Sequence, residues 1–176
     1  MGDELEVRLA KSADRAGILR VVGEAFASGD SRGREELDIV RAVWDLGVTV
    51  DGLELVAVVD GVVVGYVLGS WGELGGQRVV GIAPLAVAPT FQGIGVGSAL
   101  MREVIRVSDD SGFPLIVLLG DPAYYQRFGF EPSGPLNIVY GPARRDSPHF
   151  QVRRFAAYTP IVHGMYCYSW ETQSSP

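Results

Sequence analysis

Basic residues are scarce in this 176-residue chain: fifteen Lys and Arg stand against twenty-one Asp and Glu, a formal net charge of −6. That balance argues against a nucleic-acid binder working through a basic face. Lysine occurs once, as Lys11, so the Gly-Lys-Ser/Thr of a P-loop is missing. Cysteine also occurs once, as Cys167, which excludes an internal disulfide, a cysteine-based zinc site and an iron–sulfur cluster. The two histidines, His149 and His163, lie far apart without metal-ligand spacing, so no metal is expected. Met1-Gly2-Asp3-Glu4-Leu5-Glu6 is acidic where a secretory signal would be basic. Glu6 stands where a myristoylation motif needs Ser or Thr. These features lead to the expectation of a cytoplasmic protein with no membrane association.

One stretch is deceptive. Val79 to Met101 carries no charged residue and is long enough to span a bilayer. It also holds Pro84, Pro89, Thr90, Gln92 and four glycines, which no simple membrane helix would combine. It therefore reads as a buried strand followed by a loop.

The chain is 47% hydrophobic, enough to bury a sizeable core, and its length fits a single domain over residues 1–176. Its charge is uneven: residues 1–88 carry fourteen acidic and eight basic side chains, while residues 89–176 balance seven against seven. An acidic first half hints at a cationic ligand on that side, although scattered solvating carboxylates are the commoner reason.

Leu5 to Leu9 alternates apolar and charged residues, as a half-buried strand does. Ser12 or Asp14 can cap a helix burying Ile18, Val21, Val22, Ala25 and Phe26. Gly29-Asp30-Ser31-Arg32-Gly33 breaks it, and a second helix from about Arg34 to Leu46 buries Leu37, Val40, Val43 and Trp44. The period then changes to that of strands. Leu53–Val59 and Val62–Trp71 flank Asp60-Gly61, a strong hairpin signal because both turn positions tolerate positive φ. Gly72 to Gln77 reads as another turn. Val79–Val87 is apolar on both faces and so central, with Pro84 expected to bulge or splay it. A helix from about Gly95 to Ser111 turns Leu100, Val104 and Val107 inward. Leu115–Leu119 suits a buried parallel strand, and Pro122–Phe128 is a short helix stopped by Gly129. Phe130, Leu136–Tyr140 and Val152 to Trp170 complete the chain as closing strands. The order β-α-α-β-β-β-α-β-α-β-β predicts an α/β fold with a mixed, mostly antiparallel sheet and helices on both faces.

The segment that speaks to chemistry is Leu85-Ala86-Val87-Ala88-Pro89-Thr90-Phe91-Gln92-Gly93-Ile94-Gly95-Val96-Gly97-Ser98. A buried strand stops at a proline, and a glycine-rich turn opens a helix. Glycines let backbone N–H groups converge with no Cβ in the way, and the helix start adds positive dipole. That arrangement suits phosphate or pyrophosphate. The alternative is that the glycines merely permit close packing on the sheet. The dinucleotide fingerprint G-x-G-x-x-G is not met, because Ser98 stands at its third glycine.

This segment resembles the acyl-CoA site of the GCN5-related N-acetyltransferase (GNAT) superfamily. Its Gln/Arg-x-x-Gly-x-Gly/Ala pattern is met by Gln92 to Gly97, and the preceding Leu-x-Val-x-Pro by Leu85 to Pro89. A second match lies downstream, where Tyr125-Gln126-Arg127-Phe128-Gly129-Phe130 fits the family's Tyr-x-Lys/Arg-x-Gly-Phe. Gly120-Asp121-Pro122-Ala123-Tyr124-Tyr125 looks like a bacterial subgroup of predicted acetyltransferases. The resemblance covers residues 5–132 in element order and Val79–Pro132 in sequence.

What the resemblance implies is a GNAT-like sheet with a strand splayed at the acyl-CoA site. The co-substrate would be acetyl-CoA, its acetyl group passing to a primary amine by direct attack in a ternary complex. Main-chain groups of Leu85, Ala86 and Val87 would bind pantetheine as an added strand does, one N–H polarising the thioester carbonyl. The N–H groups from Gln92 through Gly93, Ile94, Gly95, Val96 and Gly97 to Ser98 would hold the pyrophosphate. Tyr125 matches the family's acid, which protonates the departing thiolate, a leaving group of pKa about 8.5; its neighbour Tyr124 should face the core. Val79–Val87 has no titratable side chain, so the base that some relatives carry on that strand has no counterpart. Glu24, Asp30, Glu73, Asp121 and a water chain are the candidates, each carboxylate being more often simply solvated.

Several features rank lower. Trp44, Trp71 and the cluster Tyr158, Tyr166, Tyr168 and Trp170 could line a pocket, but aromatics at strand spacing more often form core or a homodimer interface. Cys167 has no histidine placed to activate it and reads as a buried neutral thiol. Arg144-Arg145 and Arg153-Arg154 are candidates for the 3′-phosphate of CoA. The acceptor is expected to be a small-molecule or peptide amine. The rival readings are a non-catalytic CoA-binding or regulatory module, and the same fold using a longer acyl-CoA.

Overall fold

In the computed structural model, residues 4–27, 32–141 and 147–171 are described. Their contacts sort into two units, Met1–Gly69 with Ala83–Ile105 and Ser70–Ile82 with Arg106–Pro176.

In the first unit, β1 (Glu6–Leu9) lies antiparallel to β2 (Thr49–Val59), with Val7 opposite Ala57 and Leu9 opposite Leu55. The strand order continues through β3 (Val62–Leu74) to β4 (Gln77–Val87). The hairpin expected at Asp60-Gly61 is present, and both residues adopt positive φ, +48° and +78°. Between β1 and β2 run α1 (Arg15–Ala25) and α2 (Arg32–Leu46). Residues 29–31 of the predicted break, Asp30 among them, lie outside the described residues, and Arg32 and Gly33, read as part of that break, begin α2 instead. Ile18, Val21 and Val22 of α1 and Val40 and Val43 of α2 are wholly buried, the i, i+3, i+4 spacing of an apolar helix face. Each such side chain stabilises the fold by roughly 1.5–3 kcal/mol. Leu37, Trp44, Ala25 and Phe26 are only half-buried.

Helices cover both faces here. Gly17 of α1 rests on Val63, and Val96 and Leu100 of α3 (Val96–Asp110) rest on Gly65. Val63 and Gly65 share one face of β3, and Tyr66 points to the other. On that other side, Trp44 of α2 donates to Glu54 Oε1 at 2.7 Å, and Tyr66 donates to the same oxygen at 3.0 Å. At the start of the chain, Arg8 grips Asp14 with two bonds of 2.7 and 2.9 Å, and the Lys11 N–H adds a third at 2.7 Å. Asp14 thus caps the 3-10 turn Ser12–Asp14 that leads into α1.

In the second unit, β4 runs parallel to β5 (Leu115–Leu119), with Val80 opposite Ile116 and Ile82 opposite Leu118. β5 pairs antiparallel with β8 (Phe150–Arg154), and β8 with the short β6 (Glu131–Pro132). β9 (Gly164–Tyr168) pairs antiparallel with β3 and parallel with β7 (Ile138–Tyr140). Most of the pairings are antiparallel, as the sequence predicts. A short helix α4 (Pro122–Tyr125) continues as a 3-10 turn to Phe128 and stops at Gly129, whose φ is +78°.

Three expectations are corrected. The turn read at Gly72–Gln77 shrinks to Gly75-Gly76, and the flanking residues belong to β3 and β4. Gly72 serves packing instead, because the Tyr166 ring lies where its side chain would be. Val152 to Trp170 is two strands, β8 and β9, separated by a loop. On α3, Met101 and Ser108 are buried whereas Val107 is half-buried.

The uncharged run Val79–Met101 is β4, a 3-10 turn and the first part of α3. Among the described residues, no helix is long and apolar enough to cross a membrane.

Candidate active site

The glycine-rich turn lies wholly in the first unit. After β4 the chain makes a 3-10 turn at Pro89–Phe91, closed by Phe91 N–H to Ala88 O at 2.8 Å. Gln92 N–H then donates to Pro89 O at 3.3 Å. Gly93 and Gly95 take φ of +76° and +99°, and open space surrounds both. Backbone conformation rather than crowding therefore selects glycine at these two positions. Gln92 to Gly95 are exposed, and Ile94 holds 71% of its surface in solvent. Ala99 donates to Gly95 O at 2.9 Å to begin the α3 ladder, so the first-turn N–H groups of Val96, Gly97 and Ser98 precede any acceptor inside the helix. The side chain of Val96 is buried and anchors that turn on Gly65.

The strand leading into the turn has two unlike edges. Ala88 N–H donates to Val64 O at 2.9 Å, so Ala88 directs its main chain to β3. By the alternation of an antiparallel ladder, Leu85 and Val87 direct theirs to the other side. Their side chains are half-buried, whereas Ala86 and Ala88 are buried. The β4–β5 ladder spans Val80–Ile82 and stops short of Pro84, whose peptide bond with Ala83 is cis. The Gln92 side chain reaches back to Val87 O at 2.9 Å. Strand and turn are thereby joined by one side chain.

Tyr125 belongs to the second unit. It ends α4, whose N-cap is Asp121, the carboxylate accepting Ala123 N–H at 2.9 Å. The Tyr125 ring meets Tyr124 edge-on at 4.9 Å and Phe130 at 5.8 Å, and it lies against Gly120, where a Cβ would stand 2.8 Å from Cδ2. Tyr124 does not face the core. It is half-buried like Tyr125, with the Arg127 guanidinium 4.5 Å above its ring. The long arginine side chain covers the ring that the core would otherwise have to cover.

The proposed bases differ in their surroundings. Glu24 pairs with Arg20 at 3.0 Å on the surface of α1. Glu73 is exposed on β3 opposite Cys167. Asp121 is exposed and committed to its cap. Asp30 lies outside the described residues, as do Arg144 and Arg145. Arg154 pairs with Glu131 at 2.5 Å, and Arg153 lies over the Phe155 ring. Cys167 is half-buried, and burial, then Glu171 and Glu73, push its thiol up from the ordinary value. A raised pKa leaves it a neutral thiol rather than a nucleophile.

The aromatic residues divide. Tyr166 and Tyr168 are core, with rings 5.0 Å apart, while Tyr158 and Trp170 are half-buried. Burial above all holds the Tyr166 hydroxyl far above the ordinary range. Trp71 is half-buried under the Arg78 guanidinium.

Two groups escaped the sequence reading. Glu54 of β2 gathers the Trp44 and Tyr66 donors. Gln151 is 1% exposed and donates to Gly120 O at 3.0 Å. The signal for either was a polar residue flanked by apolar ones, Glu54 by Leu53 and Leu55, and Gln151 by Phe150 and Val152. Among the described residues, no three His, Cys, Asp or Glu side chains gather as metal ligands.

The family model described as Acetyltransferase (GNAT) family matches residues 24–130. Over 128 residues the chain is 32% identical to the uncharacterized N-acetyltransferase YjhQ of Escherichia coli K12, covering 70% of this chain and 68% of that protein. Over 82 residues it is 44% identical to the uncharacterized N-acetyltransferase YhbS of the same strain, 45% of this chain. That match spans about half of YhbS, 49% of its length. The crystal structure of E. coli YhbS in complex with CoA aligns at a TM-score of 0.83 and 28% identity, over 100% of this chain and 96% of that one. A GNAT family acetyltransferase from Brucella melitensis in complex with acetyl-CoA aligns at 0.77 and 30% identity, over 94% and 96%.

Proposed function

This chain belongs to the acetyltransferase (GNAT) family, and from that premise we propose that it is an acetyl-CoA-dependent N-acetyltransferase acting on a primary amine. The observation that carries this reading is the turn from Gln92 to Ser98. Its positive-φ glycines open exposed main chain at the start of a fifteen-residue helix, which suits a pyrophosphate. The chain has the donors such a group needs without a basic side chain: first-turn amides, helix dipole and no Cβ in the way.

Acetyl-CoA supplies the activated acetyl group. The outward main-chain groups of Leu85 and Val87 hydrogen-bond the pantetheine amides as an added strand would, with Ala86 keeping the strand seated in the core. One of these N–H groups polarises the thioester carbonyl. The acceptor nitrogen attacks that carbon directly, the C–N bond forms, and the C–S bond breaks. Tyr125 gives its phenolic proton to the departing sulfur, and the proton shed by the acylated nitrogen returns to the phenolate through water, leaving amide, free thiol and phenol. The ammonium proton of the acceptor, whose pKa is about 10.4 for an alkyl amine, leaves to water or a carboxylate before attack. The acidic first half of the chain favours a cationic acceptor, such as a polyamine or a peptide amine.

The test is a thermal-shift titration with acetyl-CoA, CoA, octanoyl-CoA and NAD in parallel, followed by an amine panel scored for free thiol. A ligand at about 100 times its Kd adds ~2.7 kcal/mol to the folded state. The expected result is a rise in Tm with acetyl-CoA and CoA, none with NAD, and thiol release with at least one amine. Binding without thiol release would return the chain to a CoA-binding module, and a preference for octanoyl-CoA to a longer acyl donor. No shift with any CoA species, once co-purified ligand is removed, sinks the reading.

A further inference from the structure

We propose that Gln151 and Gly120 are positioning residues for Tyr125: the buried amide of Gln151 locks the Gly120 carbonyl, and the Gly120 main chain is the surface on which the Tyr125 ring is seated. This rests on the reading of Tyr125 as the acid and extends it.

Gly120 follows the last residue of β5 and precedes the cap of α4. The Tyr125 ring occupies the place of a side chain at 120: a Cβ there would overlap Cε2 and stand 2.8 Å from Cδ2 and 3.2 Å from Cζ. The ring is therefore seated on backbone here, beside the rings of Tyr124 and Phe130. Backbone at a glycine is the softest kind, and this one lies just past the end of the β5–β8 ladder, where Leu119 opposes Phe150. The residue that makes room for the ring would by itself give it a soft support.

Three bonds remove that freedom. Gly120 N–H donates to His149 O at 2.9 Å. Gly120 O accepts from Gln151 Nε2 at 3.0 Å and faces His149 Nδ1 at 3.2 Å. His149 is exposed, so water can replace its ring. Gln151, at 1% exposure on β8, leaves the carbonyl no such substitute. It stands between the buried apolar residues Phe150 and Val152, where an amide carries a desolvation cost that a methionine would avoid. Asp121 then fixes the first turn of α4 through Ala123 N–H, and Tyr125 N–H bonds to Asp121 O at 3.1 Å. A rigid path runs from Gln151 through Gly120 to the ring.

The experiment is a double-mutant cycle of Gln151→Met and Tyr125→Phe. It is read as thiol release from acetyl-CoA across pH, with the fastest amine of the panel or with water as acceptor. Tyr125→Phe is expected to lower kcat about a hundredfold. Gln151→Met is expected to lower kcat about tenfold, with the KM for acetyl-CoA within about twofold, because a displaced acid leaves donor binding intact. On the Tyr125→Phe background the same change should cost less than about twofold, and the alkaline limb of the pH profile should be lost in Tyr125→Phe but kept in Gln151→Met, whose residual activity still passes through the phenol. His149→Ala, at an exposed site, provides a milder second variant, about threefold with the same dependence on Tyr125. If Gln151→Met and His149→Ala cost as much without the phenol as with it, the positioning role is overturned while the acid reading stands. If Tyr125→Phe leaves kcat unchanged, the acid reading fails and the positioning role with it.

Discussion

The side-chain amide of Gln92 donates to the carbonyl oxygen of Val87 at 2.9 Å, tying the glycine-rich turn to the strand that enters it. The bond fixes the distance between two stretches of main chain assigned to different parts of one ligand. Gln92→Ala should weaken CoA binding about fivefold, the worth of one hydrogen bond near 1 kcal/mol. Because the side chain is exposed, Tm should barely move. Isothermal titration with CoA measures it, and an unchanged Kd would mean that the strap does nothing for the site.

Gly95 holds φ at +99° in open space, so alanine there meets strain and no clash. The expected cost is about 1–2 kcal/mol. It should appear as lost stability if the turn keeps its shape, or as a tenfold weaker CoA complex if the turn relaxes. Urea unfolding and CoA titration on Gly95→Ala separate these two, and a variant normal in both would remove the turn from the argument.

Gly65→Ala tests the anchor beneath that turn. An added Cβ would lie 2.8 Å from Val96 Cγ1, closer than real contacts allow, and 3.0 Å from Leu100 Cδ1, a tight one. Overpacking of this kind typically costs 1–3 kcal/mol. Since the side chain displaced first belongs to the first residue of α3, CoA affinity should fall together with stability. Loss of stability with affinity preserved would show that the helix start is held by other contacts.

These outcomes bear on what a reader of the sequence can see. Residues whose structural reason is local were legible. Asp60-Gly61 needed positive φ, and the spacing of Ile18, Val21 and Val22 needed a helix. Gly93 and Gly95 stood in a glycine-rich run that announced backbone at positive φ. Residues whose reason is distant were not. Gly72 looked like turn chemistry, yet it is glycine because a tyrosine nearly a hundred positions later lies on it. Tyr124 and Tyr125 are adjacent and alike, and the arginine above one and the glycine beneath the other help to distinguish them. Gln151 reaches Gly120 through a strand register set by the whole β5–β8 pair, which no local pattern encodes.

Acid stability gives a prediction remote from the site. The Arg8 guanidinium above all, with the Lys11 N–H, holds the Asp14 carboxyl at about 2, below its ordinary 3.8. A depressed carboxyl pKa stabilises the fold above the unfolded value and ceases to do so as pH falls through the folded one. The contribution, about 2 kcal/mol for a side chain only 11% exposed, should therefore be complete above pH 4 and vanish toward pH 2. Asp14→Asn should flatten the pH dependence of urea unfolding across that window. An identical slope in the two proteins would show the pair to be idle.

The donors assigned to the coenzyme at the turn are peptide N–H groups, and every residue except proline owns one. A surface of that kind is indifferent to most side-chain replacement, provided that Gly93 and Gly95 keep the backbone they alone can take. Exposed Ile94 can therefore be exchanged freely in a designed library while the donor molecule is still accepted. Variation elsewhere in the chain can then be screened for new amine acceptors without re-establishing the acyl donor each time.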